Sequence, residues 1–208
     1  MDESPLMPKQ ARSRESQQRI LEATLALLED RHFESMTIAD IAEHAEMAVG
    51  NFYKRFKNKE ALLPHLYAEY NRRFASFAQE FQGAPSDDPW RIVVRGTVKF
   101  FVANRGLIRA LHLHSRLNPA LVPEGSAEDR AKLYHSLEPL VTHPGLSPRA
   151  RQRRARLAAL AMVSSITEAI LYPDMTPGVA TGLSQSQLVD ELSGMLASYC
   201  SQAHHRAV

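Results

Sequence analysis

The sequence predicts an all-α protein, with a small N-terminal three-helix domain followed by a larger helical bundle. Apolar residues recur at the spacing of amphipathic helices along much of the 208 residues, and the second half shows no strand pattern. Helix-capping pairs open several of these stretches, among them Thr37 with Asp40 and Ser184 with Gln187. These two observations together predict the fold class.

Four helices are predicted in the first part of the chain. They span about 15–30, a short segment after Thr37, about 48–56, and about 59–82. Ser13 is the predicted N-cap of the first helix. Pro64 lies inside the fourth, where it cannot donate to the carbonyl of Glu60, so a kink is expected there.

The second half of the chain is predicted to continue as helices joined by loops rich in proline and glycine. The ranges are about 89–104, 107–116, 126–142, 148–172 and 184–203. Asp88 is expected to cap the first of these, with Pro89 at its first helical position. Ser126 and Asp129 form another capping pair.

Composition excludes several classes of protein. The net charge is only +2, so any nucleic-acid site must be a local basic patch. Cys200 is the only cysteine, which excludes an intrachain disulfide and a cysteine-based zinc site. No apolar run reaches the ~18 residues of a membrane span, and the acidic start of the chain is not that of a secretory signal. We therefore expect a cytoplasmic protein with no membrane contact.

The stretch from Thr37 to Leu63 carries the strongest motif. Apolar residues at helical spacing mark two short helices, and the four residues 45–48 between them are too few for anything but a turn. This pattern predicts a helix-turn-helix, in which the second helix enters the DNA major groove. That helix carries side chains suited to phosphates and base edges, namely Asn51, Tyr53, Lys54 and Arg55.

The segment from Arg14 to Leu63, about a quarter of the chain, resembles the DNA-binding domain of the TetR family of bacterial regulators. The matching motifs are Arg19-Ile20-Leu21-Glu22-Ala23, Phe33 with Thr37, Asp40-Ile41-Ala42, Phe52-Tyr53 with Phe56, and Lys59-Glu60-Ala61-Leu62. Beyond Leu63 the likeness is one of length and helical character. The resemblance implies a DNA-binding domain at 13–63 and an effector-binding and dimerisation domain at 64–208.

The resemblance and the residue chemistry together predict the DNA contacts. The predicted DNA-binding residues are Thr37, Ala48, Val49, Gly50, Asn51, Tyr53, Lys54 and Lys59. Asn51 suits an adenine edge and Lys54 a guanine or a phosphate, whereas Tyr53 suits a phosphate. Lys59 resembles the family's backbone-anchoring lysine. Residues 1–12 are predicted to be a disordered basic arm, which is either a solvated tail or an arm along the DNA backbone.

Three positions depart from the family pattern. Glu46 replaces the glycine of the turn, and a non-glycine residue at positive φ costs about 1 kcal/mol. Ala48 replaces the serine or threonine that usually caps the reading helix, at a similar cost. His32 replaces the glycine that usually ends the first helix. These substitutions are expected to leave the fold unchanged, and they leave open the strength and the sequence preference of DNA binding.

The second domain is expected to dimerise and to enclose a small apolar or aromatic effector. The candidate pocket residues are Trp90, Phe100, Phe101, His112, Tyr134, Met162 and Glu168, for most of which ordinary core packing is the alternative. Glu168 is read as a carboxylate that needs a partner, either in a dimer contact, in a structural hydrogen bond or on the ligand. The predicted dimer residues are Leu188, Leu192, Met195 and Tyr199.

The predicted function is a transcriptional regulator, a repressor that binds a palindromic operator as a homodimer and responds to a ligand. One alternative is a TetR-like architectural factor without an effector, and another is a helical ligand-binding protein or enzyme with a decayed helix-turn-helix. No nucleophile with its base, phosphate-binding glycine loop or metal triad is recognised. His112 and His114 are two residues apart and face different sides of a helix, so they are not expected to bind one metal ion together. No metal site, catalytic residue or cofactor is predicted.

Overall fold

The computed structural model describes residues 9–80, 87–122, 135–173 and 182–202. Its regular structure within these ranges is entirely helical, which confirms the predicted fold class. The α-helices are α1 (Lys9–Asp30), α2 (Ile38–His44), α3 (Val49–Tyr53), α4 (Leu63–Glu80), α5 (Pro89–Ala103), α6 (Arg105–Leu117), α7 (Pro148–Leu171) and α8 (Gln185–Ser201). Among the described residues, no helix is both long and apolar enough to cross a membrane.

The predicted caps are present at the starts of α2, α5 and α8. Thr37 with Asp40 and Ser184 with Gln187 form reciprocal capping boxes at α2 and α8. The Asp88 side chain accepts from the Arg91 N–H at the start of α5. The predicted pair Ser126 and Asp129 lies outside the described residues.

The first helix begins earlier than predicted. α1 starts at Lys9, so residues 9–12 are helical and the predicted disorder of this part of the arm is wrong. Ser13 consequently lies inside the helix rather than at its N-cap. The reason is that Lys, Gln, Ala and Arg at 9–12 are all good helix formers, and no glycine or proline interrupts them. Residues 1–8 of the predicted arm lie outside the described residues.

Pro64 does not kink a helix. A short 3-10 helix, Lys59–Leu62, capped by the Asn58 side chain, precedes α4, and Pro64 is therefore the second residue of that α-helix. The carbonyl of Glu60, which Pro64 cannot reach as a donor, accepts from the Leu63 N–H instead. Proline is tolerated in a first helical turn because its N–H is not needed there. The predicted bend is thus replaced by a change of helix type.

The chain forms two compact units. Among the described residues, the first unit comprises 9–72 and 106–122, and the second comprises 73–80, 87–105, 135–173 and 182–202. The predicted functional boundary at Leu63 stays a prediction, but by contacts the division falls inside α4. α6 belongs to the first unit because Leu107 and Leu111 are part of that unit's core.

The core of the first unit joins α1, α2, α3, α4 and α6. The side chains with the least exposure include Ile20, Leu28, Phe33, Ile41, Phe52, Leu62 and Leu66. Gly106 lies directly against α1, since a Cβ atom there would fall 1.7 Å from the carbonyl oxygen of Leu28. The Tyr67 hydroxyl donates to the Leu111 carbonyl at 3.1 Å. α6 is therefore fixed to α1 and α4.

The core of the second unit forms where α5 packs on α7 and α8, which also pack on each other. α7 contributes small buried residues such as Ala155, Ala158 and Ala159, which allow close helix approach. Cys200 is fully buried, and burial raises the pKa of its thiol to about 11. Its thiol is therefore protonated at neutral pH and unreactive.

Candidate nucleic-acid interface

α3 is anchored on one side and exposed on the other. Phe52 is fully buried and Phe56, just beyond the helix, is only 4% exposed. The opposite side is open to solvent, with Val49 40% and Tyr53 57% exposed. The exposed residues of this segment are Ala48, Val49, Gly50, Asn51, Tyr53, Lys54 and Arg55. Seven of the eight predicted DNA-binding residues are therefore exposed, and six of them cluster on α3 and its flanks.

Asn51 and Lys54 form a pair on this surface. The Lys54 ammonium donates to the Asn51 side-chain oxygen at 3.1 Å, one helical turn away. A bidentate contact with adenine needs both the oxygen and the amide nitrogen of an asparagine. Because the amide oxygen has two lone pairs, it can accept from Lys54 and from an adenine at the same time, so the Lys54 bond can orient the Asn51 amide for that contact.

The start of α3 is uncapped, as predicted. Ala48 is the N-cap residue and provides no side-chain hydrogen bond. At Gly50 an added Cβ would meet nothing within 4 Å in this chain, so internal packing does not explain this glycine. An uncapped helix start with a bare backbone position leaves room for a close approach by another molecule.

The turn before α3 has the backbone conformation that the sequence predicted. Glu46 has φ 52°, the left-handed region that favours glycine, and among the described residues it is the only non-glycine there. The turn is closed by the Glu46 N–H, which donates to Glu43, and the Met47 N–H, which donates to Ala42, both at 2.9 Å. The Arg19 guanidinium also binds this turn, a contact that the sequence analysis missed. Arg19 was recognised only as part of a family motif, with no role.

His32 carries no comparable strain. Its φ of −80° and ψ of 138° are ordinary extended values, so the first helix ends here without a left-handed residue. A glycine is therefore unnecessary, and the expected penalty for this departure from the family pattern does not arise.

The Lys59 ammonium is bound within the protein, whereas a lysine that anchors a phosphate would point it towards solvent. Its ammonium donates to the carbonyls of Phe33, Glu34 and Met36 at 2.7, 3.1 and 2.8 Å. The same ammonium lies 4.9 Å from the centre of the Phe33 ring. All three of its N–H donors thus have protein acceptors, and the residue ties the start of α4 to the α1–α2 connection. Its phosphate contact stays a prediction.

Thr37 is also engaged by the protein itself. Its N–H and its hydroxyl both donate to the Asp40 carboxylate, at 2.7 and 2.6 Å. These side-chain and backbone hydrogen bonds hold the pKa of Asp40 below its ordinary value, and Arg31 at 3.2 Å adds to the effect. A carboxylate therefore already occupies the N-terminus of α2, where a DNA phosphate was predicted.

The predicted effector residues are divided between the two units, and their effector role stays a prediction. Trp90, Phe101 and Met162 are buried in the second unit, whereas His112 belongs to the first. Trp90 Nε1 donates to the Leu140 carbonyl at 3.3 Å. Phe100 stacks on Phe77 at 4.7 Å, a partner that the prediction did not include. These contacts favour the alternative of ordinary core packing, and Tyr134 lies outside the described residues.

Glu168 is exposed, so the interpretation of a buried carboxylate is wrong. The apolar stretch around it in the sequence suggested burial, but Glu168 lies on the solvent side of α7, as Leu157 and Leu160 do. Those two leucines are 50% and 60% exposed. Hydropathy along a helix does not reveal which side its neighbours leave open.

The second unit has an open cavity of about 210 Å³ at the ends of α5 and α7 and the start of α8. Its lining is mostly apolar, with Arg105 and Gln185 as the longer polar side chains. The lining residues are Val102, Arg105, Ala169, Ile170, Pro173, Leu183, Gln185 and Leu188. None of them was predicted as an effector residue, although Leu188 was predicted for the dimer contact.

The predicted dimer residues share one side of α8 but differ in exposure. Leu192 is 5% exposed and packs in the core of its own unit, whereas Met195 is 52% exposed. Leu188 and Tyr199 are half-buried. The dimer contact of these residues stays a prediction.

Sequence and structure comparisons give consistent results. A family model described as bacterial regulatory proteins, tetR family, matches residues 20–66, which include α2, α3 and the turn between them. No curated protein sequence is similar enough to this chain to count as a match.

The chain has the fold of several solved regulators. The fatty acid degradation regulator FadR from Bacillus halodurans has a TM-score of 0.60 at 18% identity, with 88% of this chain and 94% of that chain covered. A TetR-like transcriptional regulator from Rhodococcus sp. RHA1 has a TM-score of 0.59 at 18% identity, covering 89% and 93%. FadR from Bacillus subtilis, in complex with stearoyl-CoA, has a TM-score of 0.61 at 15% identity, covering 88% and 98%. Residues 20–66 are therefore similar to the tetR family of bacterial regulatory proteins, and the chain has the all-helical fold of these solved regulators.

Proposed function

We propose that this protein is a sequence-specific DNA-binding transcriptional regulator that places α3 in the major groove. The observation that supports this most is the two-sided arrangement of α3. Phe52 and Phe56 hold the helix, while Asn51, Tyr53 and Lys54 are exposed without a core role. Side chains of these types make the usual contacts with base edges and phosphates.

The regulator acts as a homodimer through exposed apolar residues of the second unit. Leu157 and Leu160 on α7 and Met195 on α8 are each at least half exposed, and large exposed apolar side chains on two helices that pack together are candidates for a protein contact. A two-fold contact would bury these three side chains on both subunits. On α7, Glu168 lies four residues beyond Ser164 and eight beyond Leu160, towards the end of that contact. A dimer also places two α3 helices on one palindromic site.

A ligand-responsive repressor is the proposed form of regulation. The cavity beside Arg105 and Gln185 is smaller than the ~300–1,000 Å³ typical of ligand pockets, and it suits a small effector with an apolar body. The Bacillus subtilis FadR structure contains stearoyl-CoA. Arg105→Gln should leave operator affinity unchanged but weaken release by an anionic effector. If the same effector concentration releases the wild type and the Arg105→Gln variant from DNA, the effector binds elsewhere.

The DNA-binding proposal is tested by selecting an operator from genomic fragments and measuring affinity by gel shift. Asn51→Ala and Lys54→Ala should each cost about 1–3 kcal/mol at one base pair and relax selectivity there. Lys57→Ala is the control, because Lys57 is basic and exposed but lies outside α3. It should weaken all sequences alike. Unchanged selectivity in both α3 variants would contradict the proposal.

The dimer proposal is tested by sedimentation of Leu160→Asp and Met195→Asp. Both should give folded monomers, because the two side chains are outside the core. Leu117→Asp is the matched control, since Leu117 is 74% exposed in the first unit and is not part of the proposed contact. Dimers that persist in Leu160→Asp would move the contact to another surface.

A further inference from the structure

We propose that Arg19 is a positioning residue for the reading helix α3, acting through the turn between α2 and α3. This inference rests on the proposed DNA-binding function and adds a residue outside the helix-turn-helix to it. Arg19 lies on α1, 26 residues before the first of its turn acceptors. It makes no base contact in this role.

The guanidinium of Arg19 binds the turn at three places. One of its terminal nitrogens donates to the carbonyl of Ala45 and, at 3.2 Å, to that of Glu46. The same nitrogen lies 3.9 Å from a carboxylate oxygen of Glu46. The Glu46 side chain is 90% exposed, so this ion pair is screened by water and contributes little. The two carbonyl contacts are the substance of the interaction.

The turn has a specific need for this contact. Ala45 and Glu46 follow the end of α2, where carbonyl groups have no helical N–H partner. A cation at a helix C-terminus satisfies such carbonyls and is favoured by the helix dipole. The need is greater here because Glu46 holds a left-handed conformation without being glycine. Arg19 therefore stabilises the one strained residue of the turn.

The turn between α2 and α3 also determines where α3 lies. α3 has only five residues, and its N-cap Ala48 provides no side-chain hydrogen bond. The helix is thus held by Phe52 and Phe56 on its buried side and by the turn at its start. If the turn loosens, the helix start can move although the phenylalanines still hold the helix. Base contacts need a fixed orientation, whereas backbone electrostatic contacts tolerate movement.

Arg19→Lys and Arg19→Gln test this inference against the wild type. Lysine keeps the charge but is shorter and lacks the guanidinium, so both variants should lose about tenfold in operator affinity, about 1.4 kcal/mol. Affinity for random DNA should be unchanged in Arg19→Lys at the same salt concentration. Amide exchange at Glu46 and Met47 should rise in both variants, while exchange at Leu28 in α1 stays slow. A wild-type operator affinity in Arg19→Lys, with operator and random DNA weakened equally in Arg19→Gln, would show that Arg19 acts only as a charge.

A double-mutant cycle then assigns the effect to the turn. In a Glu46→Gly background the turn no longer needs support, so Arg19→Lys should cost much less than tenfold. In a Glu46→Gln background, which removes only the ion pair, the full loss should remain. An equal loss in the Gly and wild-type backgrounds would overturn the inference. A wild-type protein that selects no operator would instead overturn the proposed function, so the two failures are distinguishable.

Discussion

The two compact units of this chain use side-chain bonds to helix ends in different parts of the fold. In the first unit, Lys59, Arg19 and Asn58 bind backbone groups around α2 and α3. In the second, Arg154 donates to the carbonyls of Tyr199 and Gln202 at the end of α8, beside close packing of alanines on α7 and stacked rings such as Phe77 on Phe100. Side-chain bonds to particular carbonyls fix a backbone shape, whereas apolar packing tolerates many combinations of similar volume.

Sequence similarity is detectable in only one of the two units. The family model matches only residues 20–66, all of them in the first unit. Over nearly the whole chain, the solved regulators share the fold at only 15–18% identity. The detectable family pattern is therefore confined to the first unit, whereas the shared fold extends over nearly the whole chain.

Gly106 tests whether the first unit depends on a fixed backbone contact. Gly106→Ala would place a Cβ 1.7 Å from the Leu28 carbonyl oxygen, so α1 and α6 must separate. We expect a loss of about 3 kcal/mol in unfolding free energy, the upper part of the range for overpacking. Urea denaturation measures it. Gly50→Ala is the matched control, because an added Cβ there meets nothing within 4 Å. Wild-type stability in Gly106→Ala would show that this approach of the two helices is dispensable.

Lys59 distinguishes a structural side chain from a DNA contact in the same unit. Lys59→Met removes the donor to three carbonyls and should cost about 1.5–3 kcal/mol in stability, the range for hydrogen bonds to charged groups. If the contacts are only structural, the slope of log affinity against log salt should stay unchanged. A phosphate anchor would instead lower that slope by about one and leave stability intact. Denaturation and gel shifts at several salt concentrations separate the two.

The sequence predicted features that depend on a few neighbouring residues. The capping box of Thr37 and Asp40 and the left-handed Glu46 are both present, because each follows from bonds or sterics within one turn of chain. Pro64 was misread because the sequence does not distinguish a 3-10 start from an α-helix. Glu168 was misread for another reason, since its exposure depends on which side of α7 its distant neighbours cover.

The candidate site divides in the same way. The exposed residues of α3 were predicted, because Phe52 and Phe56 define its buried side through helical spacing alone. Arg19 was not, because its acceptors are 26 and 27 residues away in the chain. The burial of Leu192 beside the exposed Met195 was missed as well, since the part of α8 that faces the core is set by α5 and α7.

The smallest expected effect concerns Asp40, and it tests whether local bonds alone set a property of the first unit. Hydrogen bonds from Thr37 are the main cause of the lowered pKa of Asp40, with Arg31 secondary. Because the folded pKa lies below the ordinary value of an aspartate, the contribution to stability is present above that ordinary pKa and is lost as pH falls through the folded pKa. Thr37→Val keeps the side-chain shape but removes the hydroxyl, so the Asp40 pKa should move towards its ordinary value. Carbon-detected NMR titration measures this shift, and Arg31→Gln, which removes the ion pair at 3.2 Å, should produce a smaller one. If Arg31→Gln shifts the Asp40 pKa more than Thr37→Val does, the cap of α2 depends on the charge of Arg31, just after α1, rather than on hydrogen bonds within its own first turn.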